Sequence, residues 1–314
     1  MARAYGANTQ LVGKFESSYG TPPSGNYSQL PFVSSDLGSE QGLIASDLLG
    51  QGRDPAAPIR DIIRVEGNVV VPVDLRNFGL WLKALLGVPT TVEDGANYTH
   101  TFVSGIAALP SLSLEVGMPD IPAYFLSSGI RANSFQLSFS RSGAANATIN
   151  CIAQGETRAS SSGGGTPTTL SLTRFNQFQG SVKKDGSVLG NVTGAQLTYS
   201  NNLERIETIR SDGKIEGADP TIAALTGNID VRFADTALID AATNNTPIEL
   251  EFAYTISEDF FLIFTAHEVY LPKPKLAVSG PGGIQASFDW QAAKASSPAR
   301  MLTVTLNNDV ETYA

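Results

Sequence analysis

Residues 67–87 read GNVVVPVDLRNFGLWLKALLG, and residues 227–245 read GNIDVRFADTALIDAATNN. In both stretches a Gly-Asn pair opens an alternating strand: Val69, Val71 and Val73 in the first, Ile229, Val231 and Phe233 in the second. Side chains on a strand point alternately to opposite faces, so each series builds one apolar face. An aspartate follows, Asp74 or Asp235, placed to cap a helix. The first helix is predicted over Leu75 to Leu86. Leu75, Phe78, Leu82, Leu85 and Leu86 share one of its faces, and Gly87 with Pro89 supplies the stop. The second is shorter, through Leu238, Ile239 and Ala242. One strand, cap and helix plan occurs twice, which makes the chain a candidate internal repeat.

The repeat extends outward from that plan. LSFSRSGAANATINCIAQ from Leu137 aligns without a gap with LAVSGPGGIQASFDWQAA from Leu276, setting Ser140 with Ser279, Gly143 with Gly282, Ala147 with Ala286 and Ile149 with Phe288. The offset is 160 for the Gly-Asn strands (227 minus 67) and 139 for these hairpins (276 minus 137), so the second half carries a connection 21 residues shorter. A weaker match sets Ser35-Asp36-Leu37 against Asn201-Asn202-Leu203. Each is followed by a Gly- and Asp-rich segment, Gly38 to Ile62 and Glu204 to Thr221, read as long excursions from the body. Further alternating runs, among them Ser111 to Val116, Ala195 to Tyr199, Glu249 to Tyr254 and Lys275 to Ser279, read as strands. FFLIFTA, from Phe260, reads as a strand buried on both faces. Ala159 to Thr169, ASSSGGGTPTT, has no apolar periodicity and is predicted to be a flexible linker. The expectation is a mainly β chain of two tandem β-sandwich or barrel domains, residues 1–158 and 170–314, joined by 159–169. Each domain has a short flanking helix and a long loop.

Hydrophobic residues make up 42% of the 314 residues and charged residues only 16%, so the surface is rich in Ser, Thr, Asn, Gln and Gly. Such a surface suits subunits that pack against one another. The net charge is −9, and no Lys or Arg run exceeds Lys183-Lys184. Gripping nucleic acid needs a basic stripe that releases counterions, and that role is therefore disfavoured. A negative balance suits a surface past which DNA slides, and it equally suits plain solubility. Cys151 is the only cysteine, which excludes an intrachain disulfide and a cysteine zinc site. Ile149 and Ile152 beside it predict a buried thiol. Nowhere do eighteen apolar residues run together, and Met1 to Gly20 holds no apolar signal core. The expectation is a protein of the cytoplasm with no membrane insertion.

Residues for chemistry are sparse. His100 and His267 are the only histidines, and neither has a second imidazole or carboxylate at ligand spacing. Phosphate-cradling and nucleophile motifs are missing, so no cofactor and no catalysis are expected. Glu249 and Glu251 share a strand face, which describes a solvated face or a pair of acids in a carbohydrate-binding groove. Trp81 and Trp290 read as core or interface anchors.

FESSYGTPP (15–23), VDLRNFGLWLKALLG (73–87), YTHTF (98–102), LPSLSLEVG (109–117) and NSFQLSFSRSGAANATINCIAQGE (133–156) follow one another in a distinctive order. In order and spacing the chain resembles the tail tube proteins of long-tailed phages, those with non-contractile tails above all. The resemblance covers Phe15 to Glu156 and reaches the second half through its own Gly-Asn strand and closing hairpin. It implies two packed β-sheets with a flanking helix, the inner sheet joining its neighbours around a lumen, and rings of sixfold or pseudo-sixfold symmetry that stack. With a duplicated chain, three copies complete a ring. It also implies a virion protein assembled in the host cytoplasm. Its partners would be further copies of itself, the tail terminator, the distal tail or tip proteins, a tape measure protein in the lumen, and DNA in passage. Lumen candidates are Asn146, Thr148, Asn150, Gln285, Ser287 and Asp289. Stacking candidates are Asp47, Gln51, Arg53 and Asp54 in one excursion, and Arg210, Asp212, Lys214 and Glu216 in the other. The alternatives are another β-rich virion protein, such as a tail terminator, baseplate hub or head decoration protein, or a carbohydrate-active protein.

Overall fold

The computed structural model describes residues 3–50, 52–276 and 280–313. Gln51 and most of the predicted Lys275 to Ser279 strand, residues 277–279, lie outside the described residues. In chain order come β1 (Gln10–Phe15), β2 (Ser28–Gln29), β3 (Ser34–Ser35), β4 (Gly38–Ile44), β5 (Ile59–Pro72) and the helix α1 (Phe78–Leu86). Then follow β6 (Thr90–Asp94), β7 (Asn97–Val103), β8 (Leu112–Met118), β9 (Ala123–Phe139), β10 (Asn146–Ala153) and β11 (Gly155–Ala159). The second half holds β12 (Gly180–Lys184), β13 (Ser187–Val188), β14 (Val192–Ser200), β15 (Glu204–Ile206), β16 (Gly217–Asp219) and β17 (Ala224–Arg232). It closes with the helix α2 (Ala237–Asn244), β18 (Ile248–Ser257), β19 (Phe260–Tyr270), β20 (Gln285–Ala293) and β21 (Leu302–Asn308).

The pairings define three antiparallel layers. An inner sheet runs β3/β4, β5, β10, β9, β14, β17, β20. An outer sheet runs β13, β12, β18, β19, β21, β7, β6. A smaller sheet runs β2, β1, β8, β9, β11. β9 belongs to two layers because one extra residue, Asn133, is inserted where its pairing with β10 shifts, and such a bulge bends a strand. Between the two large sheets the alternating apolar residues interlock. Phe139 stacks on Tyr254 at 4.7 Å between ring centroids, Phe135 meets Phe264 at 5.7 Å, and Phe252 meets Trp290 at 5.7 Å. One hydrophobic cluster spans both halves of the chain, and the β9–β14 and β7–β21 pairings cross between them.

Three expectations are revised. The first helix begins at Phe78 rather than Leu75. Asp74 is buried and accepts from the backbone N–H groups of Arg76 and Asn77, so it closes the turn ahead of the helix. Ala159 to Thr169 is pinned rather than free: Tyr27 N–H donates to Gly164 O, Thr168 N–H to Tyr27 O, and Gly163 N–H to the buried Glu115. FFLIFTA lies in β19 with one face buried through Leu262, Phe264 and Ala266, while Phe261 and Ile263 are half-exposed.

The repeat is visible in the strand registers. Asn68 pairs Asn150 in the first half and Asn228 pairs Asp289 in the second. Those partners are related by 160 (228 minus 68) and 139 (289 minus 150), the two offsets of the sequence match. Ile152 pairs Arg131 and Gln291 pairs Tyr270, both partners again shifted by 139. Upstream, Ser35 pairs Val69 and Ala195 pairs Ile229, both shifted by 160. This replaces the match of Ser35 with Asn201, which was six residues out. The glycine before each asparagine has the same cause in both halves. A Cβ on Gly67 would sit 2.6 Å from Asp36 O, and one on Gly227 would sit 2.0 Å from Gln196 O. Asp36 and Gln196 are themselves 160 apart.

Gly227→Ala therefore overpacks against backbone as well as the Trp290 ring, at 2.5 Å. It is expected to lower stability by at least about 1–3 kcal/mol. Gly190→Ala, where nothing lies within 4 Å, should leave the urea midpoint unchanged. Equal midpoints for the two variants would contradict the close approach.

Candidate functional site

The inner sheet turns one face to the core and the other to solvent. Core-facing residues are Val69 and Val71, Ile149, Phe135 and Leu137, Leu197, Ile229 and Phe288. The opposite face is built of amides and hydroxyls in cross-strand rows. One row runs Asn146, Ser138, Gln196, Asn228, Asp289, and the next Thr148, Gln136, Thr198, Thr226, Gln291. All six residues predicted for a lumen lie on this face. Asn146 and Asp289 share a row, Asn150 and Thr148 sit toward the β5 side, and Ser287 and Gln285 pair Asp230 and Arg232 toward one rim. Gln136, Gln196, Thr198, Thr226 and Asn228 belong to the same wall and were missed. Their signal was present in the alternation of FQLSFS, AQLTYS and LTGNI.

The amides hold one another. Asn150 donates to Asn68 at 3.1 Å, and Asn133 donates to Asn150 at 3.1 Å. No lysine or arginine stands in the two rows just named. Cations come at the margin, where Arg174 donates to Asn146 and Arg232 faces Gln285. A concavity of about 610 Å³ opens along the wall beside Gln196, Asn228, Asp289, Gln291, Tyr270 and Pro272.

The two predicted stacking excursions lie side by side. The first is a hairpin arm, with β4 and β5 paired out to Ile44 and Ile59. Asp47, Arg53 and Asp54 are exposed near its tip, and Gln51 is outside the described residues. The second is the small hairpin β15–β16. At its tip Arg210 and Asp212 form a two-pronged ion pair, at 3.0 and 2.8 Å, with Lys214 and Glu216 following. Arg205 pairs with Glu66, and Arg131 donates to Ala218 O and Asp219, so the second excursion is anchored at the base of the first. Beyond these polar candidates the arms expose apolar side chains: Leu43, Leu48, Leu49 and Ile62 on the first, Ile209 on the second. Leu49 is 94% exposed and Ile209 fully so, which a lone soluble subunit has no reason to favour.

The groups weighed for chemistry have structural partners. Glu251 pairs with Lys183 at 2.6 Å, and Glu249 with His267 at 3.1 Å, on the outer sheet away from the polar wall. Among the described residues no three His, Cys, Asp or Glu side chains converge to hold a metal. Cys151 is fully buried, and burial pushes its thiol up to about 12. His100 belongs to a lock between the C-terminal segment and α1. Its Nε2–H donates to Val310 O at 2.8 Å, the Thr91 hydroxyl donates to its Nδ1 at 2.9 Å, and Tyr313 packs edge-on at 4.7 Å. Asn308 donates to Leu75 O, Tyr313 to Arg76 O, and Arg76 grips Asp309 through two nitrogens. Among the described residues no helix is long and apolar enough to cross a membrane.

Packed β-sheets with a polar wall of amides and hydroxyls and arms that expose apolar side chains describe a subunit built to meet other chains. The family profile of phage tail tube proteins matches residues 6–292, nearly the whole chain, and the chain belongs to that family. No curated protein matches it. Among solved structures, the toluene transporter TodX of Pseudomonas putida aligns at 10% identity over 96% of this chain and 87% of that one. The TM-score is 0.10, too low to carry an argument. Family membership makes the chain a component of the phage virion, a structural tail tube subunit that assembles with itself and with other tail proteins.

His100 yields a pH test. Burial holds its imidazole below the ordinary value of 6.5, so the folded protein keeps it neutral. As pH falls through 6.5 the unfolded chain takes up a proton that the folded one refuses, and stability drops. Denaturation midpoints should fall between pH 7.5 and 5, and His100→Gln should flatten that fall while leaving His267 in place. An unchanged slope in the variant would remove His100 as its source.

Proposed function

We propose that this chain is the repeating subunit of the tube itself. Each copy contributes two tube units, three copies close a ring, and the polar face of the inner sheet lines the channel. The observation that carries the reading is the doubled register: β5, β10 and the middle of β9 are reproduced by β17, β20 and the end of β19 at fixed offsets. Two equivalent units per chain make a pseudo-sixfold ring from three chains, closed by symmetry rather than by a second protein. Asn146, Thr148, Asn150, Gln285, Ser287 and Asp289 then face the passing DNA, and during assembly a tape measure protein. Rows of amides and hydroxyls offer phosphates few cationic contacts, so passage releases few counterions and forms no tight complex. The ends of the tube meet the terminator and the distal tail proteins.

Stacking falls to the two arms. Leu43, Leu48, Leu49, Ile62 and Ile209 are the apolar contacts, and Asp47, Arg53, Asp54, Arg210, Asp212, Lys214 and Glu216 orient them; Gln51, the remaining stacking candidate, lies outside the described residues. Burying one leucine side chain contributes roughly 1.5–3 kcal/mol, so a few per subunit hold rings together when three subunits act at once.

Electron microscopy of the purified protein should show tubes with an axial channel and three chains per ring by mass. Leu49→Asp combined with Ile62→Asp should abolish tubes while rings survive. Rings of six chains would sink the two-unit reading, and unimpaired tubes from the double variant would move stacking elsewhere.

A further inference from the structure

The inner sheet has an end within each chain where its first-half counterpart has none. β10 pairs on both sides, with β5 and with β9 from Arg131 to Leu137. Its counterpart β20 pairs β17 along seven residues but meets β19 only through Gln291, Ala292 and Ala293. No described strand lies beside Gln285–Trp290 on the other side. At the opposite end, β3 and β4 pair only with β5 among the described residues. Both open edges belong to the polar-walled sheet.

Inside the chain the equivalent junction is closed. β9 pairs β14 with Ser134 opposite Ser200, Gln136 opposite Thr198 and Leu137 opposite Leu197. The strand registers carry β9 forward by 139 and β14 back by 160, which maps those pairs onto Lys273 with Glu40, Lys275 with Gly38 and Leu276 with Leu37. We propose that this pairing is the seam between neighbouring chains: Lys273–Leu276 of one copy lies antiparallel to Leu37–Glu40 of the next, repeating the β9–β14 junction. The seam rests on the tube reading above and names the surface through which a second copy binds.

Two features of these residues fit the assignment. Lys273 falls between Asp289 of its own chain, by the same 139 shift from the Ser134–Asn150 pair, and Glu40 of the next copy. Leu276 and Leu37 meet as Leu137 and Leu197 do in the core. The backbone sets the limit of the seam. Asn133 O accepts from Asn201 N–H at 2.7 Å, so the odd-numbered residues of β9 are the ones that hydrogen-bond β14. Their counterparts here include Pro272 and Pro274, which have no N–H to offer. At these positions the seam is held by bonds from the incoming strand's N–H groups to the proline carbonyls and by the side-chain contacts just named, which makes it weaker than the β9–β14 junction.

Disulfide trapping tests the register. Gln136 and Thr198 form a pair not joined by backbone bonds, with Cα atoms about 4.5 Å apart in such geometry, within disulfide reach. Gly38→Cys with Lys275→Cys, and separately Glu40→Cys with Lys273→Cys, should yield covalent three-chain rings on oxidation of the assembled protein, resolved to single chains by reductant. Gly38→Cys with Lys273→Cys, out of step by two residues, should not crosslink. Native Cys151 is fully buried and stays out of the exchange. If three-chain rings form and neither in-register pair crosslinks, the seam is wrong and the tube reading stands. If the wild-type chain forms no rings at all, both fall.

Discussion

The backbone of one strand rests directly on the missing side chain of another at Gly67 and again at Gly227. At each site a Cβ would meet a carbonyl oxygen, of Asp36 or of Gln196, at a separation no pair of atoms tolerates. The close approach pins the strand ahead of each glycine in a single register, and in a sheet a slip of one residue would exchange the two faces. With that register fixed, Ala195, Leu197 and Tyr199 point into the core while Gln196, Thr198 and Ser200 point out. The same constraint sets β3 and β4 against β5. The aromatic packing between the sheets, Phe139 on Tyr254 and Phe252 on Trp290, depends on these strands presenting the right face.

Around this shared plan the halves diverge for identifiable reasons. The first half continues β9 through Phe139, where alternating Phe135, Leu137 and Phe139 anchor it in the core. The corresponding stretch of the second half reads LPKPKL, and two prolines two residues apart remove the donors a central strand needs. That stretch is not a strand in the isolated chain. In the first half the small sheet of β1, β8, β9 and β11, whose order β12, β18, β19 and β21 repeat, packs Phe15 and Leu112 toward α1 beside Trp81 and Lys83. Lys83, nearly buried, spreads over the Phe15 ring at 4.2 Å, where the ring's negative face compensates part of its lost hydration.

Much of this was legible in the sequence because it is local. Period-two alternation marks the polar and apolar faces of β9, β10, β14 and β20, and a glycine before an asparagine recurs where the backbone needs it. Misreadings came where distant residues decide the outcome. ASSSGGGTPTT looks featureless, yet Glu115 and Tyr27, far away in the chain, fasten it. The match of Ser35 to Asn201 followed a shared leucine, whereas strand pairing fixes the equivalence six residues earlier, at Ala195. The His267–Glu249 contact crosses two strands and has no signature in spacing. The excursions were judged by their Gly and Asp content, which hid that they expose the large apolar side chains of Leu43, Leu48, Leu49 and Ile209.

The polar wall meets a folding requirement before it meets any other. A sheet that packs one face in a core must hydrate the other, and charged residues would serve as well as amides for that purpose. Amides differ in being able to satisfy one another: Asn133, Asn150 and Asn68 form a chain of hydrogen bonds across three strands, each link contributing about 0.5–1.5 kcal/mol. An ion pair in the same place leaves a cation that rearranges toward any passing phosphate. A self-satisfied amide ladder leaves nothing mobile to rearrange. Cations of this chain lie at the rim, on the outer sheet and on the arms, as Arg174, Lys183 with Glu251, and Arg210 with Asp212. Charge placed there can set direction and register in contacts with other chains, whereas the two central rows of the wall carry one carboxylate, Asp289, and neither lysine nor arginine.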